Sequence, residues 1–205
     1  YLDRIGQRES MVRAWTSLGK ENALTRAKQL DKGGFQGILH GLPIGVKDLF
    51  DTYDLPTSYG SPIYANHYPA TDAVSVALMR QAGGIILGKT TTTEFASFKS
   101  SSTTNPLDLK HTPGGSSSGS AAAVADLMIP LATGSQTAGS IIRPASYCGI
   151  VGFKPSFGKI SVAGVKCLAP SLDTLGCFGK TIEDVGLGVA AMSGDHRLAN
   201  IETLH

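Results

Sequence analysis

Cysteine is scarce in this chain, with only Cys148, Cys167 and Cys177 present. So few thiols, odd in number, argue against a disulfide-stapled scaffold and lead us to expect reduced cysteines in a cytoplasmic protein. Charge of one sign never accumulates: the formal net charge is +2, and no long block of Lys or Arg occurs. An electrostatic footprint for nucleic acid or an anionic membrane is therefore missing. No apolar run approaches the roughly 20 residues that a spanning helix needs. The five histidines, His40, His67, His111, His196 and His205, stand in no nucleophile-elbow or triad context. Cys, His, Asp and Glu do not recur at metal-ligand spacings, so neither a metal nor another cofactor is expected.

What the chain does have is glycine, 25 residues of it, clustered at turns. Hydrophobic residues make up 41% of 205, enough for one substantial core. Leu2 to Trp15 carries a broken helical pattern. Glu21 to Leu30 reads as a polar helix stopped by Asp31-Lys32-Gly33-Gly34. Ile44 to Phe50 reads as a short strand, and Asp51 to Pro69 as a loop. Asp72 to Ala82 is an amphipathic helix with Thr71 as its N-cap. Strands are expected at Ile85 to Leu87, Met128 to Ala132, Ile150 to Lys154 and Leu175 to Phe178. Gly119 to Asp126 is a helix of small residues, and Thr181 to Met192 a helix with the capping pattern Thr181-x-x-Asp184. Alternating strands and helices place the chain in the α/β class.

Three segments and one lysine hold candidate chemistry. Gly83-Gly84-Ile85-Ile86-Leu87-Gly88-Lys89-Thr90 fits the phosphate-loop formula. Its apolar interior suits a buried strand, it follows a helix, and Thr91-Thr92-Thr93 starts a helix poorly, so nucleotide binding is not expected. Gly114-Gly115-Ser116-Ser117-Ser118-Gly119-Ser120 is compatible with a flexible linker or an anion-binding helix start. It lacks the G-x-G-x-x-G fingerprint of dinucleotide sites. Gly134-Ser135-Gln136-Thr137-Ala138-Gly139-Ser140 is compatible with a helix-capping turn. It equally suits a nucleophile turn, in which amides from Thr137 to Ser140 hold an oxyanion. A serine nucleophile needs a base. Lys47, flanked by Ile44, Val46, Leu49 and Phe50, is either a solvated strand residue or an amine whose burial disfavours its charged form.

Together these segments resemble the amidase signature family. The resemblance rests on Gly41 to Asp48, on Gly88-Lys89-Thr90 with Glu94-Phe95, and on Gly114 to Ala123. It continues through Gly139 to Pro144, Cys148 to Pro155, and Ser171 to Gly176 with Thr181 to Asp184. The fold it implies is a mixed central β-sheet flanked by helices. The site it implies is a Ser–cis-Ser–Lys triad: Ser140 the nucleophile, Ser116 the bridging serine after a cis peptide from Gly115, and Lys47 the base. Thr137, Ala138, Gly139 and Ser140 would form the oxyanion hole, with Gly115, Ser117 and Gln136 in support. The implied activity is hydrolysis of a carbon–nitrogen amide bond through an acyl-enzyme, acting on a small-molecule amide. The alternatives are the glutaminase-like A subunit of a tRNA-dependent amidotransferase, which needs partner subunits, or a non-catalytic module. A homo-oligomer stays open. Departures are Gln136 where many members have Asp, Ala138 where they have Gly, and an arginine one place late at Arg143. An Asp–Arg pairing is thus expected to be absent or replaced by hydrogen bonding through Gln136. Members of the family are much longer. Residues 1–205 are therefore expected to be part of one amidase signature domain, truncated at both ends with its C-terminal half missing. The piece alone is expected to carry the three catalytic side chains but to be poorly stable or inactive.

Overall fold

The computed structural model describes residues 1–199. It contains a six-stranded mixed sheet with helices on both faces. The elements in chain order are α1 (Leu2–Val12), β1 (Trp15–Leu18), α2 (Lys20–Lys32), β2 (Pro43–Lys47), α3 (Val74–Gln81), β3 (Ile85–Thr90), α4 (Ser118–Ala125), β4 (Leu131–Gln136), α5 (Ile142–Cys148), β5 (Val151–Phe153), β6 (Thr174–Gly179) and α6 (Ile182–Ser193). The strand order is β1-β3-β2-β4-β6-β5. β2 runs parallel to both β3 and β4, whereas β1, β5 and β6 pair antiparallel with their neighbours. The carboxyl ends of three parallel strands therefore share one edge, where open α/β sheets commonly place their ligands.

The continuous apolar runs of β2 and β3 follow from burial on both faces. On one face, Ile44, Val46, Ile86, Leu175 and Cys177 pack against α3 and α6. On the other, Ile85, Leu87, Ala132 and Phe178 join the small residues of α4, together with Ile5, Leu30 and Ala145. The phosphate-loop formula is thus a completely buried strand ending at Thr90. Helix α6 starts as expected, with Thr181 and Asp184 forming a reciprocal capping box. All three cysteines are free; Cys148 and Cys177 are buried and Cys167 is exposed. Among the described residues no helix is long and apolar enough to cross a membrane.

Several boundaries differ from expectation. Thr71 does not cap α3, which begins at Val74 after an extended Ala73. The Ala73 and Val74 amides donate to Asp51 and Ala163 carbonyls, and these long-range bonds hold the chain extended past Thr71. The strand expected at Met128 to Ala132 runs instead from Leu131 to Gln136, because its polar second half pairs in register with β6. The first three of the seven residues from Gly134 to Ser140 are therefore strand rather than turn. The residues from Trp15 to Leu18 leave the first helix and form an edge strand, after Arg13 ends α1 in the left-handed region (φ 54). Helix α5 has no counterpart among the expected elements. Pro144 sits in its first turn, where a missing N–H costs no helical bond.

Helix α4 is pressed against the end of β3. The Gly119 amide donates to the Thr91 carbonyl (2.8 Å), and a Cβ on Gly119 would lie 2.2 Å from the Ala14 carbonyl oxygen and 2.4 Å from the Thr91 nitrogen. Backbone atoms cannot yield as a flexible side-chain tip does. Gly119→Ala is expected to lower the stability of the intact protein by about 1–3 kcal/mol, as overpacking does, read as a reduced urea midpoint.

Candidate active site

Lys47 is the last residue of β2, and its side chain is fully buried. Its amide donates to Thr133 Oγ1 (2.9 Å) on the neighbouring strand β4. Its Nζ donates to Ser116 Oγ (2.8 Å), to Ser135 Oγ (2.9 Å) and to the Ser135 carbonyl (3.4 Å). All of these partners are neutral. Loss of hydration pushes the Lys47 amine well below its ordinary range, and the charge of Asp173 opposes that shift without reversing it. The solvated-strand alternative for Lys47 is ruled out by this burial.

Ser116 follows a cis peptide from Gly115, just before α4. A Cβ on Gly115 would stand 3.0 Å from Thr93 Cγ2, so the bend leaves little room for a side chain. Arg143 holds the Gly115 carbonyl with two bonds, from Nε (3.1 Å) and Nη2 (2.8 Å). Ser117 supports the same region: its amide donates to the Ser140 carbonyl and its hydroxyl to the Ser135 carbonyl, each at 3.4 Å. The Ser116 and Ser140 segments are thereby brought together.

Ser140 lies between β4 and α5 and is 8% exposed. Its Oγ bonds to no described residue, Ser116 included, and it is not sealed from solvent. The amides of Thr137, Ala138, Gly139 and Ser140 also donate to no acceptor among the described residues. The next two amides are occupied: Ile141 N (2.8 Å) and Ile142 N (3.0 Å) both donate to Gln136 Oε1. Gln136 thus closes the turn through hydrogen bonds, while Arg143 turns to Gly115 instead of a carboxylate.

Two neighbours escape the sequence reading. Ser135 falls in a segment expected to be a turn; the observable signal is hydroxyls at Thr133 and Ser135, alternate positions that share one strand face. Asp173 accepts from the Thr137 hydroxyl and from the Leu168 (2.7 Å) and Ala169 (3.0 Å) amides. Burial pushes Asp173 up, but these bonds outweigh it and hold the carboxyl below its ordinary range. A cavity of about 140 Å³ touches Ser135, Thr137 and Asp173, with Leu49, Val165 and Leu175 in its wall. A second, of about 180 Å³, borders Gly115, Arg143 and Tyr147. A larger hollow, about 600 Å³ beside Phe153, Lys159 and Val189, lies apart from these groups, so size does not mark the site. Among the described residues no His, Cys, Asp and Glu cluster is arranged to hold a metal.

The family model described as Amidase matches residues 1–201. The chain belongs to the amidase family. It is 43% identical over 205 residues to the A subunit of the Natranaerobius thermophilus glutamyl-tRNA(Gln) amidotransferase, an alignment covering 95% of this chain and 42% of that protein. It resembles the native peptide amidase of Stenotrophomonas maltophilia with a TM-score of 0.89 and 33% identity, over 98% of this chain and 45% of that one. The A subunit of the Thermotoga maritima glutamyl-tRNA(Gln) amidotransferase superposes with a TM-score of 0.83 and 35% identity, over 96% and 43% of the two chains. The chain therefore spans less than half the length of these family members.

The buried amine has a measurable consequence. Between its lowered folded pKa and the ordinary lysine value of 10.5, the unfolded chain holds a proton that the folded chain has released. Lys47 therefore makes stability rise with pH through that window. Comparing Lys47→Met with the wild type by urea unfolding across this range isolates the effect. The variant is expected to gain less stability as pH rises.

Proposed function

We propose that this chain carries the acylating centre of an amide hydrolase, with Ser140 as nucleophile, Ser116 as proton bridge and Lys47 as base. The observation that supports this best is the 2.8 Å contact between the dehydrated Lys47 amine and Ser116 Oγ, beside a serine whose Oγ is free. A neutral amine takes the Ser116 proton as Ser116 takes that of Ser140. The Ser140 oxygen then bonds to the amide carbonyl carbon, and the carbonyl π electrons move to its oxygen. The unoccupied amides from Thr137 to Ser140 are suited to receive that oxyanion; such donors are typically worth about 2.7–4 kcal/mol each. Collapse breaks the C–N bond, with Ser116 returning a proton to the leaving nitrogen, and water later cleaves the ester. The Ser116 and Ser140 hydroxyls must close to bonding distance for this relay, a tightening that commonly accompanies substrate binding.

A fluorophosphonate probe tests the nucleophile in the intact protein. Mass spectrometry is expected to find the adduct on Ser140. Ser140→Ala should abolish labelling and lower kcat/KM about 10³-fold or more, and Lys47→Ala about 10²–10⁴-fold. An unlabelled, folded wild type would refute the assignment.

A second reading is favoured by the sequence relatives, since the 43% match is an amidotransferase A subunit. On this reading the amide is that of glutamine, and the ammonia released passes to an acceptor held by partner subunits. Ammonia release from glutamine that rises when partner subunits are added would support it. Turnover of other amides, with none of glutamine in any combination, would leave the general amidase reading standing alone.

A further inference from the structure

A second buried lysine takes no part in that relay. Lys89 Nζ on β3 lies 3.1 Å from Asp48 Oδ1, and both side chains are 0% exposed. Asp48 is the residue directly after Lys47. The same Nζ donates to the Phe50 carbonyl (2.8 Å) and to Thr57 Oγ1 (2.6 Å). Asp48 also accepts from the Ser58 amide (3.2 Å to each oxygen) and from the Ser58 hydroxyl. The turn leaving β2 is thus gripped at both ends. Inside it, the Leu49 and Phe50 amides donate to the Lys47 carbonyl (2.7 and 3.0 Å), and the Asp48 amide donates to the Thr90 carbonyl (3.0 Å).

A buried ion pair is weak support for stability, because desolvation offsets attraction. Its placement matters more here. Lys47 pairs in register with Thr90 and Val46 with Lys89, so alternation puts the two lysine side chains on opposite faces of the sheet. Asp48, Asp51 and Asp54 face Lys89, and Asp173 faces Lys47. Asp54 is paired with Arg80, and Asp51 accepts from the Tyr59 hydroxyl. Among the described residues Asp48 has only neutral Ser58 groups besides Lys89. Left unbalanced, its charge would favour the protonated form of the adjacent Lys47.

We propose that Lys89 is a positioning residue for Lys47: it neutralises Asp48 and ties down the Phe50 carbonyl, fixing the turn that aims the Lys47 amine at Ser116. This rests on the reading of Lys47 as the base.

The test follows kcat, KM and the pH profile of kcat/KM for the intact protein, on an amide it turns over. Lys89→Met is expected to lower kcat about tenfold with little change in KM, since misplacing a base harms the chemical step. Its acid limb should move up by about one pH unit, toward the charged form of Lys47. Asp48→Asn leaves the Lys89 cation unbalanced and should move the limb down. The double variant should return the limb to its wild-type position while kcat stays low. A folded Lys89→Met with the wild-type limb and kcat overturns the proposal. If Lys89→Met does not fold, Asp48→Asn decides, and an unmoved limb overturns it. If neither single variant folds, the double variant decides: a wild-type limb with reduced kcat supports the proposal, and any other result overturns it. Fluorophosphonate labelling of the wild type keeps the two questions apart. A labelled Ser140 with unmoved variants removes only the role of Lys89, whereas an unlabelled Ser140 removes the reading beneath it.

Discussion

Removal of water from the Lys47 amine is the constraint on which the candidate site depends. A lysine normally keeps its charge by staying wet. Here the amine sits at the end of an interior strand, under a helix made mostly of alanine, glycine and serine, and its three contacts are neutral oxygens. Neutral partners give an ammonium little compensation for lost hydration, so the free base is favoured. Lys89 has the same side chain and the same burial, but a carboxylate lies 3.1 Å away. Burial pushes Lys89 down as well, and there Asp48 pushes it back up. Two neighbouring strands therefore hold one buried lysine among hydroxyls and one against a carboxylate, and the partner decides what each can do.

Much of this arrangement was legible in the chain. The run Ile44, Val46, Leu49 and Phe50 around Lys47 left burial open beside a solvated strand, and all four flanking residues are buried. The α/β alternation and the α6 cap were also readable, because each depends on local pattern. What escaped depends on distant partners. β1 exists only because Trp15 and Leu18 meet Thr90 and Gly88 on β3. The polar end of β4 is strand because β6 lies alongside, and Asp173 reaches Thr137 only once those strands pair. The phosphate-loop formula misleads for the opposite reason: a short spacing rule is satisfied by a strand that is buried along its whole length.

The turn at Ser140 shows how the chain absorbs its departures from the family pattern. Gln136 stands where the family resemblance implies Asp in many members, and its uncharged carbonyl oxygen receives the two amides that open α5. Arg143, relieved of an acidic partner, fixes the carbonyl of Gly115 across the site. The Ser140 segment and the Ser116 segment are thus fastened to each other by a guanidinium-to-carbonyl link.

β2 lies between β3 and β4, both parallel to it, and each of those partners comes from far along the chain. Parallel neighbours cannot meet through a tight hairpin, and pairing of remote segments is slow because loop closure precedes any reward from contact. Until β4 docks, Ser135 has no place beside Lys47, and the amine stays hydrated and cationic. The dry, neutral surroundings of Lys47 therefore arise late in the maturation of this chain, only after segments far apart in sequence have paired.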